Sequence, residues 1–281
     1  MTAFEAVAVL LAGVAAGTIN TVVGSGTLIT FPTLLAFGVP PVTANVSNTV
    51  GLVPGSVSGA IGYRRELEGQ RSRVLRLCVA SFVGGTAGAV LLLVLPAGAF
   101  TAIVPVLILL GLVLVVLGPR ISEWVARRHA ATGGLPEHGA WWVWPAVLLT
   151  GVYGGYFGAA QGVLLMAVMG IGIDESLQRL NAVKNVLAAV VNAIAGLVFV
   201  AVAHVDWRVA LLIGIGSVIG GQLGATVGRR LPPGVLRVVI VVVGSVIGGQ
   251  VGATVGRRLS SNLLRAVIAV VGVTALVVLL V

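Results

Sequence analysis

Residues 74–95, VLRLCVASFVGGTAGAVLLLVL, read as a single membrane-spanning helix, and a second run follows from Phe100 to Gly118 after a tight turn at Pro96 to Ala99. A bilayer core of about 30 Å is crossed by roughly 20 apolar residues in helical form. The whole chain shares this character. Of its 281 residues 58% are apolar, 9% are charged and 40 are glycine, with a mean hydropathy of +1.13. A soluble domain carries about 25% charged residues, and disordered chains are poor in Val, Leu and Ile; both classes are excluded. The apolar runs are continuous and not alternating, which argues against a β-barrel. The expected fold is all-α, a polytopic integral membrane protein with eight to nine transmembrane helices.

Upstream of that run the first 62 residues are apolar but interrupted. A helix from about Phe4 runs into Gly17-Thr-Ile-Asn20-Thr-Val-Val-Gly24-Ser25-Gly26-Thr27. A stretch from Leu28 to Gly38 leads to Val39-Pro40-Pro41 and then to Asn45, Ser47, Asn48 and Thr49, before a third piece, Val50 to Gly62. Downstream, Pro119 to Gly139 is the longest polar segment. The expected division is therefore an N-terminal membrane half, 1–118, a polar cytoplasmic linker, 119–139, and a C-terminal membrane half, 140–281. Ala140 to Gly170 is glycine-rich and too long for one simple span. Ile171 to Leu180 is a polar link, and apolar runs follow at Asn181 to Ala203, Trp207 to Gly228, Val235 to Gly256 and Leu263 to Val281.

The net charge of +9 comes from 17 basic residues placed almost entirely between apolar runs. They read as positive-inside topology signals and not as a nucleic-acid surface. All five tryptophans fall at expected membrane edges. Cys78, the single cysteine, reads as a small buried hydrophobe. Met1 to Val7 carries Glu5 and no basic region, so a cleaved signal peptide is not expected.

Two repeats are visible. The weaker relates the halves: Gly26 and Asn45 lie 136 residues before Gly162 and Asn181. Each half then carries a broken, amide-bearing segment at a corresponding position, the pattern of transporters built from repeats around a midplane site. The stronger repeat is a tandem duplication, 216–243 and 244–271, identical at 21 of 28 positions. Its unit is one span and one basic loop. If every run spans, the loops 229–237 and 257–265, each with three arginines, face opposite sides. The positive-inside bias cannot satisfy both. One copy is therefore expected to be frustrated, or the chain to be inactivated by it.

No catalytic constellation is present, and the expectation is that the protein is not an enzyme. His129, His138 and His204 lie in loops or at helix ends without a metal-ligand companion, so no metal or other cofactor is expected. None of the eight acids sits deep in an apolar run, which argues against a carboxylate proton relay. Neutral polar groups gather at the breaks instead: Asn20, Gly24, Ser25 and Gly26, then Asn45 and Asn48, then Gln161, Asn181, Lys184, Asn185 and Asn192. Free backbone N–H groups at membrane depth must be buried in protein or line a wet cavity. Helix N-termini there present donors and a positive dipole end, which suits a small anion. The alternative is that these residues only satisfy a kinked backbone. Lys184, the only lysine, could charge an anion site or snorkel to the interface. The ladders Gly220, Gly224, Gly228 and Gly248, Gly252, Gly256 read as close-packing faces, which also allow self-association into a homo-oligomer.

The run Gly17-Thr-Ile-Asn-Thr-Val-Val-Gly-Ser-Gly-Thr-Leu-Ile-Thr-Phe-Pro-Thr-Leu, with Thr43-Ala-Asn-Val-Ser-Asn-Thr-Val-Gly and Gly62-Tyr-Arg-Arg, resembles the sulfite exporter TauE/SafE family. Asn181-Ala-Val-Lys-Asn and Gly-Arg-Arg-Leu before the last helix agree with it. Without one 28-residue copy the chain would have 253 residues, a familiar size for that family. The resemblance implies a permease of the bacterial inner membrane, built from two inverted four-helix halves, for sulfite or an organosulfonate. It implies a broken-helix site at Asn20, Gly24, Ser25, Asn45, Asn48, Lys184 and Asn185. A carrier of another metabolite or ion on the same fold is the alternative.

Overall fold

The computed structural model describes residues 1–96, 98–111, 113, 114, 117 and 139–228. Among them every regular element is helical. The helix α1, Ala3–Val22, starts at a capping box in which Thr2 Oγ1 accepts from Glu5 N and the Glu5 carboxylate accepts from Thr2 N. It stops where Gly24 takes φ +92, a left-handed conformation that an L side chain resists. The short α2, Thr27–Ala36, follows, then α3, Pro41–Gly62. A 3-10 turn, Arg64–Leu67, leads to α4, Arg71–Val94, and α5 covers Gly98–Gly111. The second half holds α6, Val143–Tyr156, and α7, Gln161–Gly172. It continues with α8, Leu177–Val202, and α9, Trp207–Gly228.

One boundary differs from the sequence reading. The third piece starts at Pro41, not Val50, because a proline at the first helical position has no N–H to lose and a backbone angle already suited to a helix. Asn45 and Asn48 therefore stand on a helix and not in a turn. The stretch Ala140 to Gly170 is two helices, broken at residues 157–160. The second copy of the duplication, the linker 119–139 except its last residue, and the basic loops after Gly228 lie outside the described residues.

Each half contains a helical hairpin. The α2 helix folds back along α1: Gly26 sits against the Ala16 carbonyl, and Phe37 at the far end meets Phe4 edge to face at 6.4 Å. The α7 helix likewise returns along α6, so that Ala140 N donates to Gly172 O at 2.7 Å. The two hairpins open at opposite ends of the paired helices α3 and α8. The first opens beside the start of α3, where Ser47 Oγ accepts from Asp206 N at 2.9 Å beyond the end of α8. The second opens onto the link that starts α8. Ten residues of α2 reach about 15 Å, so this element cannot cross a bilayer core.

Close packing comes from small residues. On α9, Gly216, Gly220 and Gly224 lie against the carbonyls of Leu10, Val14 and Thr18 on α1. Gly84 and Gly88 of α4 meet the carbonyls of Leu148 and Val152 on α6 in the same way. Lipid is as apolar as leucine, so such helices associate through close backbone approach and not through hydrophobic burial. Gly220 and Gly224 of the first duplicated copy are thus occupied inside the chain. Outward positions such as Leu11, Phe82, Leu149, Leu197 and Leu211 are exposed and apolar. Ala3–Val22, Arg71–Val94, Leu177–Val202 and Trp207–Val227 are long and apolar enough to cross a membrane. The chain is a multi-pass membrane protein.

Candidate functional site

The tips of the two hairpins meet. Gly162 N donates to Gly24 O at 3.0 Å, and a Cβ on either glycine would overlap the other's Cα. The backbone crossing is possible only because neither residue has a side chain. Around it an aromatic cluster fixes the second break against the first hairpin: Phe31 of α2 lies edge to face on Phe157 at 5.1 Å and on Phe100 at 6.3 Å.

The end of α1 is capped from across the molecule. Ile19 O takes the amides of Val23 and Gly24. Lys184 Nζ donates to Asn20 O at 3.1 Å and to Thr21 O at 3.0 Å. Asn185 Nδ2 and Asn181 Nδ2 reach Thr21 O at 3.1 and 3.4 Å. A helix C-terminus carries a partial negative charge and unmet carbonyls, so a cationic side chain with amides suits it. Lys184 is 0% exposed, two turns inside α8, and does not snorkel. Among the described residues no carboxylate pairs with it.

The other expected residues are divided in their roles. Asn45 Nδ2 donates to Tyr156 O at 2.9 Å, while its Oδ1 is buried without a partner. Asn48 is held locally: its Oδ1 accepts from Thr30 Oγ1, and its Nδ2 reaches Thr27 Oγ1 at 3.4 Å. Asn181 Oδ1 and Gln161 Nε2 are also buried and unpartnered. Gln161 lies over Gly154, where a Cβ would collide with its amide. Ser25 is buried at the tip and Asn20 is half-buried. At the start of α2 the backbone N–H groups of Ser25, Gly26 and Thr27 find no acceptor among the described residues. Successive free N–H groups beside a left-handed residue form an anion-binding concavity.

Sequence reasoning missed two features. Asn192 Nδ2 donates to Ser56 Oγ at 2.9 Å, joining α8 to α3 at positions 136 residues apart, the offset of the half-repeat expected from the sequence. A search for pairs at that offset would have found it. At the α7–α8 link, Glu175 pairs with Arg73 at 3.2 Å and with Arg179 at 3.0 Å. Burial would raise the Glu175 carboxyl, but the Ser176 amide and the two guanidiniums hold it below the ordinary carboxylate range. Among the described residues no His, Cys, Asp and Glu cluster could hold a metal. A cleft of about 370 Å³ opens at the other end of the molecule, lined by Glu5, Phe37, Thr43, His204 and Asp206, away from the hairpin tips.

Residues 9–244 match the family model described as sulfite exporter TauE/SafE, and the match ends at the first residue of the second duplicated copy. The chain is 27% identical over 228 residues to a probable membrane transporter protein, YfcA, of Escherichia coli strain K12, covering 81% of this chain and 82% of that one. It is 27% identical over 248 residues to the probable membrane transporter protein ORF9 of a Sinorhizobium species, covering 85% and 90% of the two. A probable membrane transporter protein of Haemophilus influenzae is 22% identical over 233 residues, with 82% and 88% covered. No solved structure matches the chain at a comparable level.

Proposed function

Because the chain belongs to the sulfite exporter TauE/SafE family, we propose that this transporter carries a small sulfur oxyanion, sulfite or an organosulfonate, across the bacterial inner membrane by alternating access. The observation that carries this reading is the conjunction at the hairpin tips. Three free backbone N–H groups, those of Ser25, Gly26 and Thr27, stand at a helix N-terminus. Across the break Lys184 caps the end of α1 with no carboxylate beside it among the described residues. An ammonium has three protons, and two are donated to Asn20 O and Thr21 O. The third, with the amide of Gln161, the side chain of Asn20 and the hydroxyl of Ser25, gives a donor-rich site for oxygen atoms of an anion. Gly24 and Gly26 let the backbone approach. Asn45, Asn48, Asn181 and Asn185 hold the frame.

Halves spanning 1–118 and 140–281, joined by the linker 119–139, would rock about this seam as two inverted repeats. The opposite opening of the two hairpins and the Ser56–Asn192 bond support that arrangement. Sulfite uptake by proteoliposomes tests the proposal, comparing the intact chain with Lys184→Met and with a chain lacking Gly244 to Val271. Saturable flux that falls at least tenfold in a well-folded Lys184→Met protein is expected. Flux seen only in the shortened chain assigns the fault to the duplication. Well-folded protein that moves sulfonates but not sulfite changes the substrate, and one that moves neither overturns the reading.

A further inference from the structure

We infer that a monovalent cation of the Na+ type binds at the C-terminal end of α6, held by Asn45 Oδ1 and the main-chain oxygens of Gly154, Gly155 and Tyr156. The argument starts from the two helix ends that stop at the hairpin tips. At the end of α1 the carbonyls of Asn20 and Thr21 receive four side-chain hydrogen bonds, two of them from the Lys184 ammonium. At the end of α6 the supply is different. Tyr153 O accepts from Phe157 N and Gly158 N, and Tyr156 O accepts from Asn45 Nδ2. The carbonyls of Gly154 and Gly155 receive nothing among the described residues, although both glycines are buried.

The residues that sit 136 positions before Lys184 and Asn185 are Asn48 and Thr49, and neither reaches α6. Asn48 is engaged with Thr27 and Thr30, and Thr49 Oγ1 donates to Asn45 O. The second helix end therefore has the negative dipole end and the carbonyls of the first without its cation. It has in addition an acceptor that the protein leaves unused: Asn45 is 0% exposed, and its Oδ1 has no partner. Carbonyl and amide oxygens are hard, neutral ligands. A divalent ion would want carboxylates as well, and no acidic cluster is present among the described residues. A monovalent cation fits the donor set, as at half-helix C-terminal ends in other transporters.

The inference rests on the transporter reading and names its coupling ion: a cation on α6 and an anion on the N-terminus of α2 favour each other across the seam. Its test uses no substrate, so it fails separately from that reading. The full chain in detergent is melted while NaCl replaces choline chloride at constant ionic strength. A saturable rise in melting temperature is expected, about 3–5 °C at tenfold over the half-saturating concentration. Asn45→Ala should lose this rise and Asn181→Ala should keep it. Where Asn45→Ala does not fold, Asn45→Asp decides, because an added carboxylate should lower the half-saturating Na+ concentration several-fold. Equal melting in Na+ and choline, or a rise retained in Asn45→Ala, or Asn45→Asp with unchanged half-saturation, overturns the inference. Sulfite flux without Na+ stabilisation refutes this inference alone, and Na+ stabilisation without flux of any anion refutes the transport reading alone.

Discussion

The break after α1 and the break after α6 share an outline and differ in chemistry. Each ends one helix, turns through a positive φ and starts a shorter helix that runs back along the first. At the first, the left-handed residue is Gly24; 136 residues later stands Ala160 at φ 59. At the first, a lysine and two asparagines close the helix end; at the second, one asparagine does. What the difference teaches is that similar backbone outlines need not carry the same side-chain chemistry. Two such hairpins can hold a lysine at one tip and leave carbonyl oxygens bare at the other.

The sharpest way to break the comparison is at the left-handed residues. Gly24→Ala adds a Cβ into the Gly162 backbone on an unfavourable φ, and should destabilise the fold by about 3 kcal/mol or more, read as a collapsed melting temperature or loss of monodisperse protein. Ala160→Gly should stay within about 1 kcal/mol of the parent, because the alanine already tolerates its conformation. Equal effects at the two positions would mean that the crossing is not held by the Gly24–Gly162 contact.

Next in size are the caps. Lys184→Met leaves Asn20 O without a donor and should cost about 1–3 kcal/mol in thermal stability. Asn48→Ala removes only the local bonds to Thr27 and Thr30 and should cost about 1 kcal/mol. If Asn48→Ala were the more damaging, the two helix ends would not differ in the way described. Smaller again is the link between the halves: a double-mutant cycle on Ser56→Ala and Asn192→Ala should give a coupling of about 0.6 kcal/mol, the mean for such bonds in membranes.

The smallest effect is expected at Glu175. Its depressed pKa stabilises the fold above the ordinary carboxylate pKa, and that contribution is lost as pH falls through the lower, folded value. These half-buried pairs at the link contribute roughly 0.3 kcal/mol. Glu175→Gln should therefore melt slightly below the parent at pH 7, and the gap should close as pH falls through the lowered Glu175 pKa.

Much of this was legible because membranes simplify the reading. Val74 to Leu95 and Trp207 to Gly228 announce themselves by apolar length, and the glycines at 24 and 26 mark the first break without any coordinates. The start of α3 was harder, since Pro40-Pro41 reads equally as a turn and as a first helical position. Which partner each amide takes was not legible at all. Asn48 and Lys184 stand 136 residues apart, yet one turns to its own hairpin and the other crosses to α1, a choice that only tertiary contact decides. The Glu175 pair with Arg73 was hidden for a similar reason, since Arg73 lies 102 residues away from Glu175 along the chain.

The bare crossing of Gly24 and Gly162 also bears on how such a protein can diversify. At the point where two main chains touch there is no side chain to exchange, so the crossing offers nothing for selection to adjust. On the proposed transport reading, variation that alters which solute is carried falls on the ring around it, at Asn20, Ser25, Thr27 and Gln161. The centre itself is fixed by what is missing there.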